Sequence, residues 1–83
     1  MSWDLANIVG LIGSAIMVVA YGYSNAVKHM NMIFFNLLNL VGAALLISSL
    51  LVHFNLASFL LEVVWAMIAA GGLATALVRK ARA

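Results

Sequence analysis

The residue in this chain best equipped for chemistry is Glu62, a carboxyl group set in the apolar run NLASFLLEVVWAMIAAGGLATA at 55–76. A charge at the centre of a membrane-spanning helix costs about 2.5 to 3.5 kcal/mol on insertion scales, so a residue kept there marks a site facing protein or a wet cavity. Such a carboxyl can carry a proton, hold a cation, or exchange one for the other. At 100° per residue, Ser58, Trp65, Ala66, Ala69 and Ala76 fall within roughly 60° of Glu62, and Leu60, Leu61, Val64, Met67 and Ile68 fall opposite. The small, polar face is expected to meet a neighbouring helix, and the bulky face is expected to meet lipid. A second reading stays open, in which the carboxyl is protonated and acts only as hydrogen-bonding glue between helices, although Ser or Asn would supply glue more cheaply.

Two other runs carry polar groups that could share a site with Glu62. Asn36 and Asn39 lie on one face of the second run, either as glue or as the lining of a solute path. In the first run Asn7, Gly10, Ser14, Tyr21 and Asn25 recur at heptad-like spacing, a thin seam of polar and small residues expected to face another helix. Ala6, Gly10 and Ser14 also read as a small-xxx-small packing motif. A 1.5 Å rise per residue puts Glu62 in an outer layer with Gly10 and Ser49, and Asn36, Asn39 and Tyr21 in an inner one. The candidate solute- or ion-binding set is therefore Glu62, Asn39, Asn36, Trp65, Ser14 and Tyr21. No catalytic or metal-binding set is expected. One carboxylate without a base, nucleophile or metal is not a catalytic constellation, His29 and His53 have no ligand partners at metal spacing, and the chain has no cysteine. No enzyme activity and no cofactor is expected.

The elements that must hold these groups follow from composition. Of the 83 residues 67% are hydrophobic and 7% charged, too apolar for a soluble core and too short for more than one domain. Three runs, about 5–24, 32–52 and 56–78, match the roughly 20 residues that span a hydrocarbon core. The expected fold is all-α, a single three-helix transmembrane domain over 1–83. Met1 to Asp4 offers an acid where a signal peptide needs basic residues, so the first run is expected to be retained. Lys28, Arg79, Lys80 and Arg82, the only Lys and Arg residues, all fall on one side of a three-span chain. The positive-inside rule makes that side the cytoplasm, giving N-out/C-in. These cations read as orientation signals and not as a nucleic-acid surface.

Local signals fill in the ends. Asp4 is an N-cap or first-turn acid for the first helix, Trp3 an interfacial ring, and Asn55 an N-cap for the third. Residues 24–31 (SNAVKHMN) form a short inner loop. His53 is a solvated interfacial residue in the outer turn. Ser48 and Ser49 are expected to return their hydroxyls to their own helix backbone four residues earlier.

Two resemblances rest on these residues. NLLNLVGA at 36–43 and the N-L-x-S-F-x-x-E-x-x-W pattern at 55–65 resemble an uncharacterised bacterial family of small three-helix membrane proteins, which implies the fold and no activity. More loosely, the three-helix layout and the N-L-x-x-x-L entry to the third helix are similar to SemiSWEET half transporters. That likeness implies a parallel homodimer with a central pocket and aligns Glu62 with the family's pocket Asn. The chain departs from that family in having Tyr21-Gly22-Tyr23-Ser24 in place of a Pro-Gln motif, no proline, and no Trp on the second helix.

Together these readings point to a multi-pass protein of the bacterial cytoplasmic membrane. It is expected to form a parallel homo-oligomer that passes a small solute, proton or cation across the bilayer. The alternative is a non-transporting accessory subunit of a membrane complex.

Overall fold

The computed structural model describes residues 2–82 as three helices, α1 (Trp3–Ala26), α2 (Met32–Leu50) and α3 (Leu56–Arg82). All three are long and apolar enough to cross a membrane. Proline-free apolar runs of this length have one way to satisfy their backbone groups in hydrocarbon, which is to close every bond within a helix. The molecule is 45 Å long, about the thickness of a bilayer with its headgroups.

Each end has an identifiable stop or start. Ser2 rather than Asp4 caps α1, its hydroxyl accepting from Leu5 N–H at 3.1 Å, and Asp4 sits in the first turn, where an acid suits the helix dipole. Asn31 caps α2 through Phe34 N–H at 3.0 Å, and Asn55 caps α3 through Ser58 N–H at 3.1 Å. α2 stops at Leu50, two residues before the apolar run ends, where the last turn tightens: Leu51 N–H is shared between Ile47 O and Ser48 O, and Val52 N–H closes on Ser49 O three residues back. α3 runs past its apolar stretch to Arg82, carrying Arg79, Lys80 and Arg82 into the negative end of its dipole.

Helix α2 is central. It packs against α1 on one side and α3 on the other, and α1 and α3 make no contact with each other. The buried residues are small or polar, namely Ala6, Gly13, Ala20, Gly42, Ala43 and Ala69 with Asn36, Asn39 and Ser49, whereas Leu11, Val18, Leu51, Met67 and Ile68 are each more than 60% exposed. Water would drive the reverse arrangement; lipid solvates the large apolar side chains and leaves close approach of backbones as the source of cohesion.

The stripe of α1 that packs on α2 is not the polar seam. It runs through Ala6, Gly10, Gly13, Met17 and Ala20, while Asn7, Ser14, Tyr21 and Asn25 are exposed. A Cβ on Gly13 would lie 2.9 Å from Gly42 O, and one on Gly42 would lie 3.1 Å from Gly13 O, so the two backbones touch. Ser14 has no need of the neighbouring helix because its hydroxyl donates to Gly10 O at 2.9 Å. Ser48 turns back to Ala44 O in the same way, but Ser49 does not. Its hydroxyl donates across the seam to Ala6 O at 2.8 Å, in space that Gly10 leaves open.

The two turns are also pinned. Tyr23 stacks edge-on against Phe34 and its hydroxyl accepts from Asn31 N–H at 2.9 Å. At the opposite end His53 packs edge-on against Trp3, with Nε2 3.2 Å from Trp3 O. His53 therefore ties the α2–α3 turn to the start of α1 instead of standing alone.

Candidate functional site

The polar groups of α2 and α3 meet within the apolar stretches of the two helices. Asn39 is buried; its Nδ2 donates to Phe35 O at 2.9 Å, and its Oδ1 accepts from Trp65 Nε1–H at 3.0 Å. One carboxamide thus ties back its own helix and receives the neighbouring one. Asn36 is also buried and donates to Met32 O at 2.8 Å. It lies against Gly72, where an added Cβ would come within 2.8 Å of the Asn36 Cγ. Only a residue without a side chain leaves room for the carboxamide there.

A cavity of about 180 Å³ opens beside this cluster, lined by Phe35, Asn36, Asn39, Trp65, Ile68 and Ala69. Its wall is apolar apart from the two carboxamides and the indole N–H, the composition typical of a small-molecule site. Phe35 and Asn39 lie on α2 between the stripe that meets α1 and the stripe that meets α3, so the cavity opens on one broad side of the three-helix layer. Winding at 100° per residue puts Asn7, Ser14 and Tyr21 roughly a quarter-turn round α1 from its α2-facing stripe, towards that same side.

Glu62 lies one turn from Trp65 towards the N-terminal end of α3. The face it belongs to turns inward at Ala69, which is buried, and at Ala66, Gly72 and Ala76, which are half-buried, but not at Ser58 and Trp65, which are exposed; Leu60, Leu61, Val64, Met67 and Ile68 are more than half exposed. Asn36 opposite Gly72 and Asn39 reached by Trp65 fix the antiparallel register, which continues to put Glu62 level with residues 42–46, where Ala43 is buried. The Oε1 atom of Glu62 is buried and has no hydrogen-bond partner among the described residues. A buried carboxyl oxygen left in this way costs the full loss of its hydration unless a proton, a cation or another donor reaches it.

Of the six candidate residues, Asn36, Asn39 and Trp65 come together around one cavity, and Glu62 stands beside them. Ser14 and Tyr21 do not join them, since they belong to α1, which does not reach α3. The shared level in the bilayer was a guide to depth but not to distance across the layer. Sequence reasoning missed Gly72, whose only signal was its place one glycine after Gly71. It also missed the Ser49 bond, which joins residues 43 positions apart. Among the described residues no group of three or more His, Cys, Asp or Glu gathers as a metal site would require.

No curated protein and no solved structure matches this chain. A family model does match, over residues 6–81, and with that coverage the chain belongs to this uncharacterised protein family.

Proposed function

We propose that the protein is one unit of a homo-oligomeric carrier or permeation path for a small solute or ion, with Glu62 as the group that exchanges a proton or cation. The observation that carries this reading is the buried, unpartnered Oε1 of Glu62, one turn from a cavity lined by Asn36, Asn39 and Trp65. A membrane helix keeps such a group where something charged or polar comes to it. A single layer of three helices encloses no route, so the path requires a second copy, as in transporters built from paired repeats. The exposed Asn7, Ser14 and Tyr21 support the same requirement, because polar groups on a lipid-facing helix are covered at low cost by another helix. The SemiSWEET likeness fits this architecture as a parallel homodimer. It assigns no sugar, since the pocket lacks a Trp on α2. The one-sided Lys and Arg residues favour an N-out/C-in orientation in a bacterial cytoplasmic membrane. We assign no catalysis to Glu62, which has no base or nucleophile beside it.

A specific observation favours a second reading, an accessory subunit without transport. Asn39 and Trp65 satisfy each other within one hairpin, as structural glue would. Reconstitution separates the two. Purified protein in proteoliposomes holding a pH-sensitive dye is given sodium, potassium and uncharged-solute gradients in turn, alongside empty vesicles and the Glu62→Gln variant. The carrier reading expects a flux in the wild type that Glu62→Gln reduces by about 10²-fold or more, the usual scale for loss of a positioned proton-transfer group. Flux equal to that of empty vesicles for every gradient would leave the accessory reading.

A further inference from the structure

The basic end of the molecule contains a second hollow that the transport reading does not use. It measures about 250 Å³ and is lined by Asn31, Met32 and Ile33 at the start of α2 and by Ala76 and Arg79 near the end of α3. Arg79 also borders a hollow of about 330 Å³ with Ala74, Thr75, Val78 and Arg82, all on α3. We infer that the α2–α3 hollow at this end binds the phosphate of an anionic glycerophospholipid, held by Arg79 and Asn31, with the glycerol and first acyl carbons against Met32, Ile33 and Ala76.

Charge, chemistry and level in the bilayer each support this occupant. All four Lys and Arg residues of the chain lie at this end, and its two carboxylates lie elsewhere, Asp4 in the first turn of α1 and Glu62 roughly 25 Å up α3 from Arg79. A site with that imbalance attracts anions, and a guanidinium matches a phosphate with two parallel hydrogen bonds. Asn31 has committed only its Oδ1, as the cap on Phe34 N–H, which leaves the Nδ2 donor for an acceptor. The polar residues of the hollow are at the helix ends, where headgroups lie, and its apolar residues point the way into the bilayer. An amphiphile fits that gradation and a free anion uses only half of it. Basic pockets between membrane helices are established headgroup sites in general.

The test places the full chain in bilayer discs of phosphatidylcholine with a minority of phosphatidylglycerol and counts by native mass spectrometry the lipids retained per chain on release. The wild type is expected to retain phosphatidylglycerol far above its share of the disc. Arg79→Gln should lower that retention about tenfold or more, tenfold being the least expected for loss of a charge-assisted hydrogen bond and the guanidinium offering two. Lys80→Gln and Lys28→Gln remove the same charge outside the hollow and should leave retention within about twofold. Inorganic phosphate added in excess should not displace the lipid. Equal loss in all three variants would mean diffuse attraction to a basic surface and would overturn the site. So would retention that mirrors disc composition. Displacement by inorganic phosphate would make the ligand a free anion and overturn the lipid assignment.

Discussion

At the scale of single residues, Asn39 shows how one carboxamide serves two helices. Its donor end closes on Phe35 O, which fixes the side chain's direction, so its acceptor end meets the Trp65 indole already oriented. Bonds of this kind in membrane proteins couple by about 0.6 kcal/mol on average and up to about 1.7, because the unfolded chain in lipid also finds partners. Trp65→Phe keeps most of the ring and removes the N–H, and Asn39→Leu removes the acceptor. A double-mutant cycle on unfolding in mixed detergent is expected to return a coupling within that range, and purely additive effects would show that the bond contributes nothing. Glu62 behaves differently, since among the described residues none reaches its buried Oε1. Glu62→Gln retains the shape and supplies a donor to the same space, so the fold is expected to survive with unchanged or higher melting temperature while flux falls. A folded, active Glu62→Gln protein would remove Glu62 from the path.

At the scale of elements, the seams depend on the absence of side chains. Gly13 and Gly42 meet backbone to backbone, and Gly72 makes room for Asn36, whereas Gly22 and Gly71 have nothing within 4 Å of where a Cβ would stand. Gly13→Ala and Gly72→Ala are therefore expected to cost about 1 to 3 kcal/mol by overpacking. Gly22→Ala and Gly71→Ala should cost nothing measurable in the same melting experiment, and a uniform response at all four positions would contradict these seams. The contrast also explains what could be read in the sequence. The inward face of α3 was legible because Glu62 marks it and Leu60, Leu61, Val64, Met67 and Ile68 mark the opposite side. The α2-facing stripe of α1 was read only at Ala6 and Gly10, because polarity drew attention to Asn7, Ser14 and Tyr21, although closeness in lipid is governed by size. Ala6, Gly10, Gly13 and Ala20 at steps of four, three and seven were the signal for it. The Ser49 bond to Ala6 O could not be read locally, since a hydroxyl that usually turns back on its own helix leaves no trace in sequence when it turns outward.

At the scale of the whole molecule, the decisive feature is that α2 separates α1 from α3, so one broad side of the layer carries the cavity with Trp65 and the α1 seam of Asn7, Ser14 and Tyr21. A second copy covering that side would close the cavity and bury the seam together. Every Lys and Arg lies at one end of the three-helix layer, in the α1–α2 loop or at the end of α3, so the positive-inside rule orients all copies alike and the pairing should be parallel. The absence of native cysteine makes this directly measurable. Single cysteines at Ser14, Tyr21 and Ile12 are to be oxidised in native membranes. Ser14→Cys sits near the midpoint of α1 and should link two copies in either orientation. Tyr21→Cys lies towards one end and meets its own counterpart only in a parallel pair. Ile12→Cys is exposed on the other side of α1 and should stay monomeric. Linkage at Ser14 and Tyr21 without linkage at Ile12 is the expected pattern. Linkage at Ser14 alone would make the pair antiparallel and conflict with the charge distribution. Equal linkage at all three positions, or none, would show that this side of the layer is not where copies meet, and the enclosed path through Glu62 would lose its second wall.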